Sequence, residues 1–295
     1  MRSNKVKSNR NVERENKFSN VFKGIILVGL VILTVFVAGC QGKEEVSQEL
    51  SGELKILCCE GLFPVAQEWT KLFMEKHPDV NINVSGGKCG NIIKSTGLGE
   101  IDVGFIGRNI SPPEKEKYPD LKKTLVGKKS IAIIVHPNNP VSELSLEQVS
   151  KIFAGDITNW KEVGGPDKNI KVIIREEGHE RELFEKFVML PNKKNITENA
   201  LVKSSYMDIK TTVSKDESII GYIYLNYVDD EIKALKINGV EPTVQNALSG
   251  DYPITKTFYI ITKGEPSELE EAFINYVLSE ERQKVMEDMG YIKVK

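Results

Sequence analysis

Residues 152–166, IFAGDITNWKEVGGP, are the stretch of this sequence that says most about its fold. They continue a segment in which Ser145 and Gln148 have the spacing of a capping box, whose two side chains satisfy free N–H groups at the start of a helix. This spacing predicts a helix that runs to Phe153. A β-type run follows at residues 170–174, so the stretch is predicted to connect a helix to a strand.

The same alternation continues on both sides of this connection. Further strands are predicted at residues 54–58, 80–84, 102–106, 130–135, 219–224 and 258–261, and further helices at 62–75, from 89 onward, and at 180–188, 267–278 and 280–289. Strands that alternate with helices are typical of parallel sheets covered by helices, so the predicted fold class is α/β. The chain is expected to enter a second lobe after HPNNP at residues 136–140.

The N-terminal 39 residues have the pattern of an export signal. Seven basic and two acidic residues accompany an apolar run of sixteen residues, GIILVGLVILTVFVAG, that stops at Cys40. VAGC at residues 37–40 resembles a lipoprotein signal, in which the cysteine is lipidated and becomes the mature N-terminus. An uncleaved transmembrane anchor is the alternative, because sixteen residues is near the lower limit for a span. Both place the folded part at the extracytoplasmic face of the cell membrane, with residues 40–52 as a polar tether.

Charge and motifs exclude several classes of function. The whole chain has a formal net charge of −2 and its first 39 residues have +5, so the remaining 256 residues have −7. A chain this acidic is not expected to bind nucleic acid. It contains no recognisable Ser/His/Asp arrangement, phosphate-cradling loop or pair of carboxylates suited to acid–base work, so neither an enzyme nor a cofactor is predicted.

Several stretches resemble the phosphate-binding proteins of ABC transporters, a family of substrate-binding lipoproteins with a periplasmic-binding-protein-like fold. Residues 152–166 are the most specific match, and REEG at 175–178, IIGY at 219–222 and residues 252–266 also fit. The resemblance covers about residues 54–291. It implies the type II fold, in which two α/β lobes are joined by a hinge and enclose the ligand in a cleft.

The resemblance also implies the domain boundaries and the partners. Lobe 1 is expected at residues 53–135 plus 250–295, and lobe 2 at residues 136–249. The expected ligand is a small inorganic anion such as phosphate, captured by closure of the lobes and delivered to the membrane permease of an ABC transporter.

The ligand loops depart from the family pattern. CCEG at residues 58–61 replaces a Gly-Ser-Thr-like turn, GGKCGN at 86–91 replaces a glycine-rich turn with a binding serine, and Gly107 replaces a serine beside Arg108. The loop after Arg175 lacks the family's hydroxyl groups and is one residue shorter. The ligand-binding residues carried over by position are Cys59, Glu60, Gly61, Lys88, Cys89, Gly90, Asn91, Gly107, Arg108, Arg175, Gly178, His179 and Glu180.

One hypothesis for this altered site keeps an oxyanion. Arg175, Arg108 and Lys88 would supply positive charge, and N–H groups near Gly90 and Gly178 would act as donors at helix starts. Two carboxylates oppose a fully ionised phosphate, because like charges in a closed cleft repel strongly. Either carboxylate, from Glu60 or Glu180, would nevertheless accept the proton of a monohydrogen anion.

The alternative hypothesis is a soft ligand. If the resemblance aligns the loops correctly, Cys58, Cys59, Cys89 and His179 face one cleft, and thiolates with imidazole suit zinc, copper(I), iron–sulfur units or a thiophilic metalloid. Each cysteine is also readily explained as a buried apolar residue, or as half of a disulfide between Cys89 and Cys58 or Cys59. A ligand-sensing or redox lipoprotein remains a further alternative.

Overall fold

A computed structural model describes residues 50–294. The predicted signal peptide, the predicted lipidation site Cys40 and most of the predicted tether lie outside the described residues. The helices of the described part are α1 (Phe63–Lys76), α2 (Cys89–Leu98), α3 (Pro112–Lys117), α4 (Leu146–Ala154), α5 (His179–Phe184), α6 (Tyr206–Val213), α7 (Val244–Ser249), α8 (Glu268–Val277) and α9 (Glu280–Asp288). None of these described helices is both long and apolar enough to cross a bilayer.

The strands form one long, mixed sheet and one small one. They are β1 (Gly52–Cys59), β2 (Val80–Gly87), β3 (Val103–Ile106), β4 (Leu121–Val135), β5 (Glu143–Leu144), β6 (Lys171–Arg175), β7 (Leu201–Lys203), β8 (Ile219–Tyr224), β9 (Lys233–Ala234), β10 (Lys236–Ile237), β11 (Thr255–Lys263) and β12 (Ile292–Lys293). The long sheet has the order β2-β1-β3-β11-β4-β8-β6-β7, with β9 and β12 also paired to β4, while β5 pairs with β10.

Strand β4 carries the chain from one half of the long sheet to the other. Residues 121–130 pair antiparallel with β11, and residues 131–135 pair antiparallel with β8. The outer strands pair in parallel, β1 with β2 and β3, and β6 with β7 and β8. The predicted parallel arrangement therefore applies to the outer strands, whereas the two connecting strands run antiparallel to their neighbours.

Separate buried clusters occupy the two halves. The first contains Ile56, Trp69 and Phe105, where Trp69 and Phe105 pack with ring centroids 6.0 Å apart. The second contains Phe184 and Tyr222, whose rings stack at 4.3 Å, and a third cluster covers the opposite face of the same strands. Two cores on one connected sheet agree with the two-lobed periplasmic-binding-protein fold. The lobe boundaries given above stay a prediction.

The predicted helices and strands occur, with three differences in extent. The predicted strands at 130–135 and 258–261 are parts of the longer β4 and β11, which begin at Leu121 and Thr255. The helix predicted at 180–188 is α-helical only to Phe184 and continues as a π-helical turn at Glu185–Met189. The unpredicted elements are short and lack a clear apolar period: α3, α6, α7, β5, β7, β9, β10 and β12. The longer strands matter for function, because the added residues include Lys129 and Lys256.

Candidate functional site

Three of the four ligand loops meet at the carboxyl ends of β1, β2 and β3. In the parallel register Cys59 lies opposite Gly87, and Cys58 lies opposite Phe105, two residues before Gly107. Because parallel strands point their carboxyl ends to the same edge, the loops that follow them are neighbours. The carboxyl edge of a parallel sheet is also where ligands bind in many α/β proteins.

The three described thiols cluster at this edge as free cysteines. Cys58 and Cys59 are buried and Cys89 is partly buried. The N–H of Gly107 donates to Sγ of Cys89 at 3.4 Å, and the Sγ of Cys58 contacts the carbonyl of Cys59. A hydrogen bond with Cys58, together with burial, raises the pKa of Cys59 to about 12, and a hydrogen bond with Cys59 raises the pKa of Cys89 as well. These are therefore protonated, weakly nucleophilic thiols.

The thiols do not form a metal site with the predicted histidine. Among residues 50–294, no group of three or more His, Cys, Asp or Glu side chains has an arrangement that would hold a metal ion. His179 is instead an exposed residue at the start of α5, where its Nδ1 lies 3.3 Å from Oε2 of Glu182. The soft-ligand hypothesis thus finds no support in the geometry of the described residues.

Arg108 is held by a carboxylate of its own loop. Its two terminal nitrogens each donate to an oxygen of Glu114 at 2.7 Å, which is a bidentate pair. The guanidinium lowers the pKa of Glu114 to about 2. Glu114 also accepts from the N–H of Ser111 as part of the capping box of α3. In this structure Arg108 therefore stabilises the third loop, and its charge is neutralised.

Arg175 is also ion-paired. Its Nη1 donates to Oε1 of Glu180 at 2.7 Å, with the two side chains 25% and 11% exposed. Its Nε is buried and has no hydrogen-bond partner among the described residues. The Glu180 carboxylate also lies close to Gly178, since a Cβ at Gly178 would be 3.5 Å from Oε2. Glu180 thus occupies the position beside Arg175 and the loop where an external anion was expected.

The remaining predicted residues are spread around the same loops. Glu60 is exposed in a short 3-10 turn, and Lys88 is exposed as the residue that precedes α2. Gly90 and Asn91 are exposed in the first turn of α2, and a Cβ at Gly90 would lie 3.9 Å from Nη2 of Arg108.

A cavity of about 90 Å³ adjoins these loops. It is lined by Phe258 of the first buried cluster, by Leu183 and Tyr224 of the second, and by Gly61, Lys129, His179, Glu182, Lys186 and Lys256. Three lysines and one carboxylate give this lining a positive balance. Neither Lys129 nor Lys256 has an ion pair or hydrogen bond to any carboxylate within the described part of the chain.

Lys129 is a buried ammonium group inside this cavity. Only 8% of the residue is exposed, and its Nζ lies 4.4 Å from the ring centroid of Tyr224 and 4.0 Å from that of Tyr291. Burial lowers its pKa from 10.5 to about 8, the Glu180 carboxylate opposes this shift, and the positive charge of Lys256 adds to it. The two lysines thus repel each other within this cavity.

Two glycines make room for Lys256. A Cβ at Gly107 would lie 2.6 Å from Cε of Lys256, and a Cβ at Gly61 would lie 2.9 Å from its Nζ. Gly107, which the resemblance places where the family has a serine, therefore lies against a lysine from β11. Tyr291 fixes the first loop from the other side by donating from its hydroxyl to the carbonyl of Gly61.

Sequence reasoning did not identify Lys129 or Lys256 as site residues. The available signal was indirect, namely lysines beside apolar runs, in KKSIAIIV at 128–135 and TKTFYII at 255–261. A strand of this kind buries alternate residues, and lysine is rarely buried unless it has a partner, so a lysine on the inner face of such a strand is a candidate site residue.

A family model and a relative of known name assign this chain to the same family. The model of a PBP superfamily domain matches residues 44–281. The phosphate-binding protein PstS of Bacillus subtilis (strain 168) is 32% identical over 257 residues, which cover 84% of this chain and 82% of that protein.

Solved structures agree with this result. The putative phosphate ABC transporter substrate-binding protein from Clostridium perfringens, solved with bound phosphate, is 35% identical and has a TM-score of 0.50, over 83% of this chain and 100% of that one. An ABC-type phosphate transport receptor from Vibrio cholerae is 26% identical with a TM-score of 0.67, over 82% and 99%. The chain therefore belongs to the PBP superfamily and, within it, to the family that includes the phosphate-binding protein PstS of Bacillus subtilis.

Proposed function

We propose that this protein is the extracytoplasmic solute-binding component of an ABC importer, and that its solute is a small oxyanion of the phosphate class. The observation that carries the proposal is the cationic cavity, where Lys129 and Lys256 lack a carboxylate partner among the described residues. Unpaired ammonium groups in a buried space are costly, so an anion that enters the cavity is stabilised there. The names of the relatives favour phosphate among such anions.

The mechanism is capture without chemistry. The cavity is lined by Phe258 of the first buried cluster and by Leu183 and Tyr224 of the second. A relative movement of the two halves would therefore open and close it, and closure would exclude water and strengthen each charge contact. No covalent step, cofactor or catalytic residue is needed, and the closed form would be the one that docks on the permease.

The predicted lipid anchor belongs to the same proposal. Cys40 would be acylated after removal of residues 1–39, so that residues 40–52 tether the binding domain to the membrane surface. Replacement of Cys40 with serine is expected to release the protein from the membrane fraction or to block its maturation. Wild-type protein that keeps residues 1–39 and stays membrane-bound with Cys40 unacylated would favour the transmembrane alternative.

The binding function is tested by calorimetry on the full chain in detergent, after exhaustive removal of phosphate. One phosphate per chain is expected, with a Kd in the micromolar range or lower, as a captured solute requires. The control is a change of anion: chloride at the same ionic strength should not compete. Absence of binding by phosphate, arsenate and sulfate would contradict the oxyanion assignment.

A further inference from the structure

The cations of the candidate site fall into two groups that differ in their partners. Arg108 and Arg175, the residues expected to bind the anion, are each paired with a carboxylate of their own loop at 2.7 Å. The pairs are Arg108 with Glu114 and Arg175 with Glu180. At the paired donors an external anion would compete with a carboxylate that is covalently held in place and therefore present at a high effective concentration.

The lysines form the second group. Lys129 is 8% exposed and lines the cavity, and its ammonium group faces the aromatic rings of Tyr224 and Tyr291. The Glu180 carboxylate favours its charge but forms no ion pair with it. The ammonium of Lys256 reaches the same cavity, beside Gly61 and above the ring of Phe258. A buried cation that keeps no carboxylate partner is expensive, which points to a partner that comes from outside the chain.

We propose that Lys129 and Lys256, rather than Arg175 and Arg108, bind the charged oxygens of the solute. This inference rests on the proposed oxyanion-binding function and assigns the residues that would carry it. The positive charge that binds the solute would then come from Lys129 of β4 and Lys256 of β11, and not from Arg175 at the end of β6 as the resemblance implies. Glu180 then acts as the internal counter-ion that keeps Arg175 occupied.

The surrounding backbone is shaped for this arrangement. Gly107 has no side chain where a Cβ would lie 2.6 Å from Cε of Lys256, so the lysine stem passes over the third loop. The N–H of Gly107 is held by Sγ of Cys89, which fixes that loop while the stem crosses it. Lys129 is fixed between two tyrosine rings. Both ammonium groups are therefore positioned before a ligand arrives, which reduces the entropy lost on binding.

The ligand class follows from the donor set. An ammonium group has three donors and no acceptor. The two lysines therefore bind a more negative ligand more tightly, and they cannot accept a hydrogen bond from a proton on the ligand. Two lysines match a doubly charged tetrahedral oxyanion. Sulfate, which carries no proton, is therefore expected to compete with phosphate for this cavity.

The test is calorimetry with inorganic phosphate on the full chain in detergent, comparing six variants. K129M and K256M should each raise the Kd about thirtyfold or more, the loss of one charge-assisted hydrogen bond. K256R keeps a cation and should recover most of the affinity. The double variant R175Q/E180Q, which replaces the ion pair by two neutral amides, should have a smaller effect than K256M.

Matched controls are K128M and K263M, lysines of the same two strands whose ammonium groups donate to the backbone carbonyls of Leu248 and Leu98 outside the cavity. Sulfate should bind wild-type protein within about tenfold of phosphate. Wild-type affinity in both K129M and K256M, together with loss of binding in R175Q/E180Q, would overturn the inference and leave the proposed function standing. A wild-type protein that binds neither anion would overturn both.

Discussion

Replacement of Lys129 with methionine is expected to stabilise the ligand-free protein while it weakens phosphate binding. Lys129 carries its charge in a buried position, and burial lowers its pKa from 10.5 to about 8. At neutral pH the group is protonated in both the folded and the unfolded chain, so only the folded chain bears the cost of a buried charge. Methionine has a stem of similar length and no charge, and it packs well against aromatic rings.

The size of the effect follows from the pKa and from the contacts that are lost. A fall from 10.5 to about 8 corresponds to roughly 3 kcal/mol of destabilisation at pH 7. Removal of the ammonium also loses its contacts with the rings of Tyr224 and Tyr291, each worth about 0.5–1 kcal/mol. The net gain in the free energy of unfolding is therefore about 1–2 kcal/mol, or roughly 2–8 °C in Tm.

The pH dependence has a definite sign. Between about pH 8 and pH 10.5 the folded protein has lost the Lys129 proton while the unfolded chain retains it, so stability contributed by this group rises with pH across that window. K129M lacks this rise. The difference in stability between variant and wild type is thus largest below pH 8 and shrinks as the pH approaches 10.5.

The assay is urea unfolding followed by circular dichroism, with and without phosphate. At a phosphate concentration about a hundredfold above the wild-type Kd, wild-type protein gains about 2.7 kcal/mol, whereas K129M, with a Kd about thirtyfold higher, gains about 0.9 kcal/mol. Phosphate therefore removes most or all of the variant's advantage in stability. The reasoning would be refuted if ligand-free K129M were less stable than wild type at pH 7. It would equally be refuted if phosphate stabilised both proteins by the same amount.

Three further predictions concern the neighbouring loops. A Gly107→Ala substitution places a methyl group 2.6 Å from Cε of Lys256, so it should displace that lysine. The Kd for phosphate should then rise by about tenfold. An unchanged Kd would show that the position of Lys256 is unimportant for binding. Glu114→Gln removes the partner of Arg108 and should cost about 1 kcal/mol of stability after allowance for solvent screening. That loss should vanish as the pH falls towards 2, where Glu114 itself becomes protonated, and an equal loss at pH 2 and pH 7 by urea titration would contradict the pairing. Cys59 and Cys89 should react with iodoacetamide at pH 7 far more slowly than in urea-unfolded protein, because their pKa values are raised; equal rates by mass spectrometry would argue against the buried, hydrogen-bonded thiols.

Local sequence signals predicted the helices and strands well where the pattern depends on neighbours in the chain. Ser145 and Gln148 form the capping box that their spacing indicated, and the helices predicted at 62–75 and 267–278 occur as α1 and α8 within one or two residues of those bounds. Such features are visible because the interacting groups lie within one turn of each other.

The ligand site was less predictable, because it depends on contacts between distant parts of the chain. The lysine at 256 meets the glycine at 107 only after β11 pairs with β3 and β4, and no spacing in the sequence records that pairing. The two ion pairs join residues that are near each other in the sequence: Arg175 and Glu180 are five residues apart, and Arg108 and Glu114 are six apart. The resemblance identified Arg108, Arg175 and Glu180 as site candidates by position, without showing that each arginine is neutralised by its own loop.

The most direct test of the central claim is a crystal structure of the protein with arsenate, located by the anomalous scattering of arsenic. Arsenate has the shape and charge of phosphate, so its arsenic atom marks the centre of the bound oxyanion. One strong peak is expected in the cavity between the ammonium groups of Lys129 and Lys256, with the Arg175–Glu180 pair intact. A peak beside Arg175 with Glu180 displaced, or no ordered peak in the cavity, would contradict the claim.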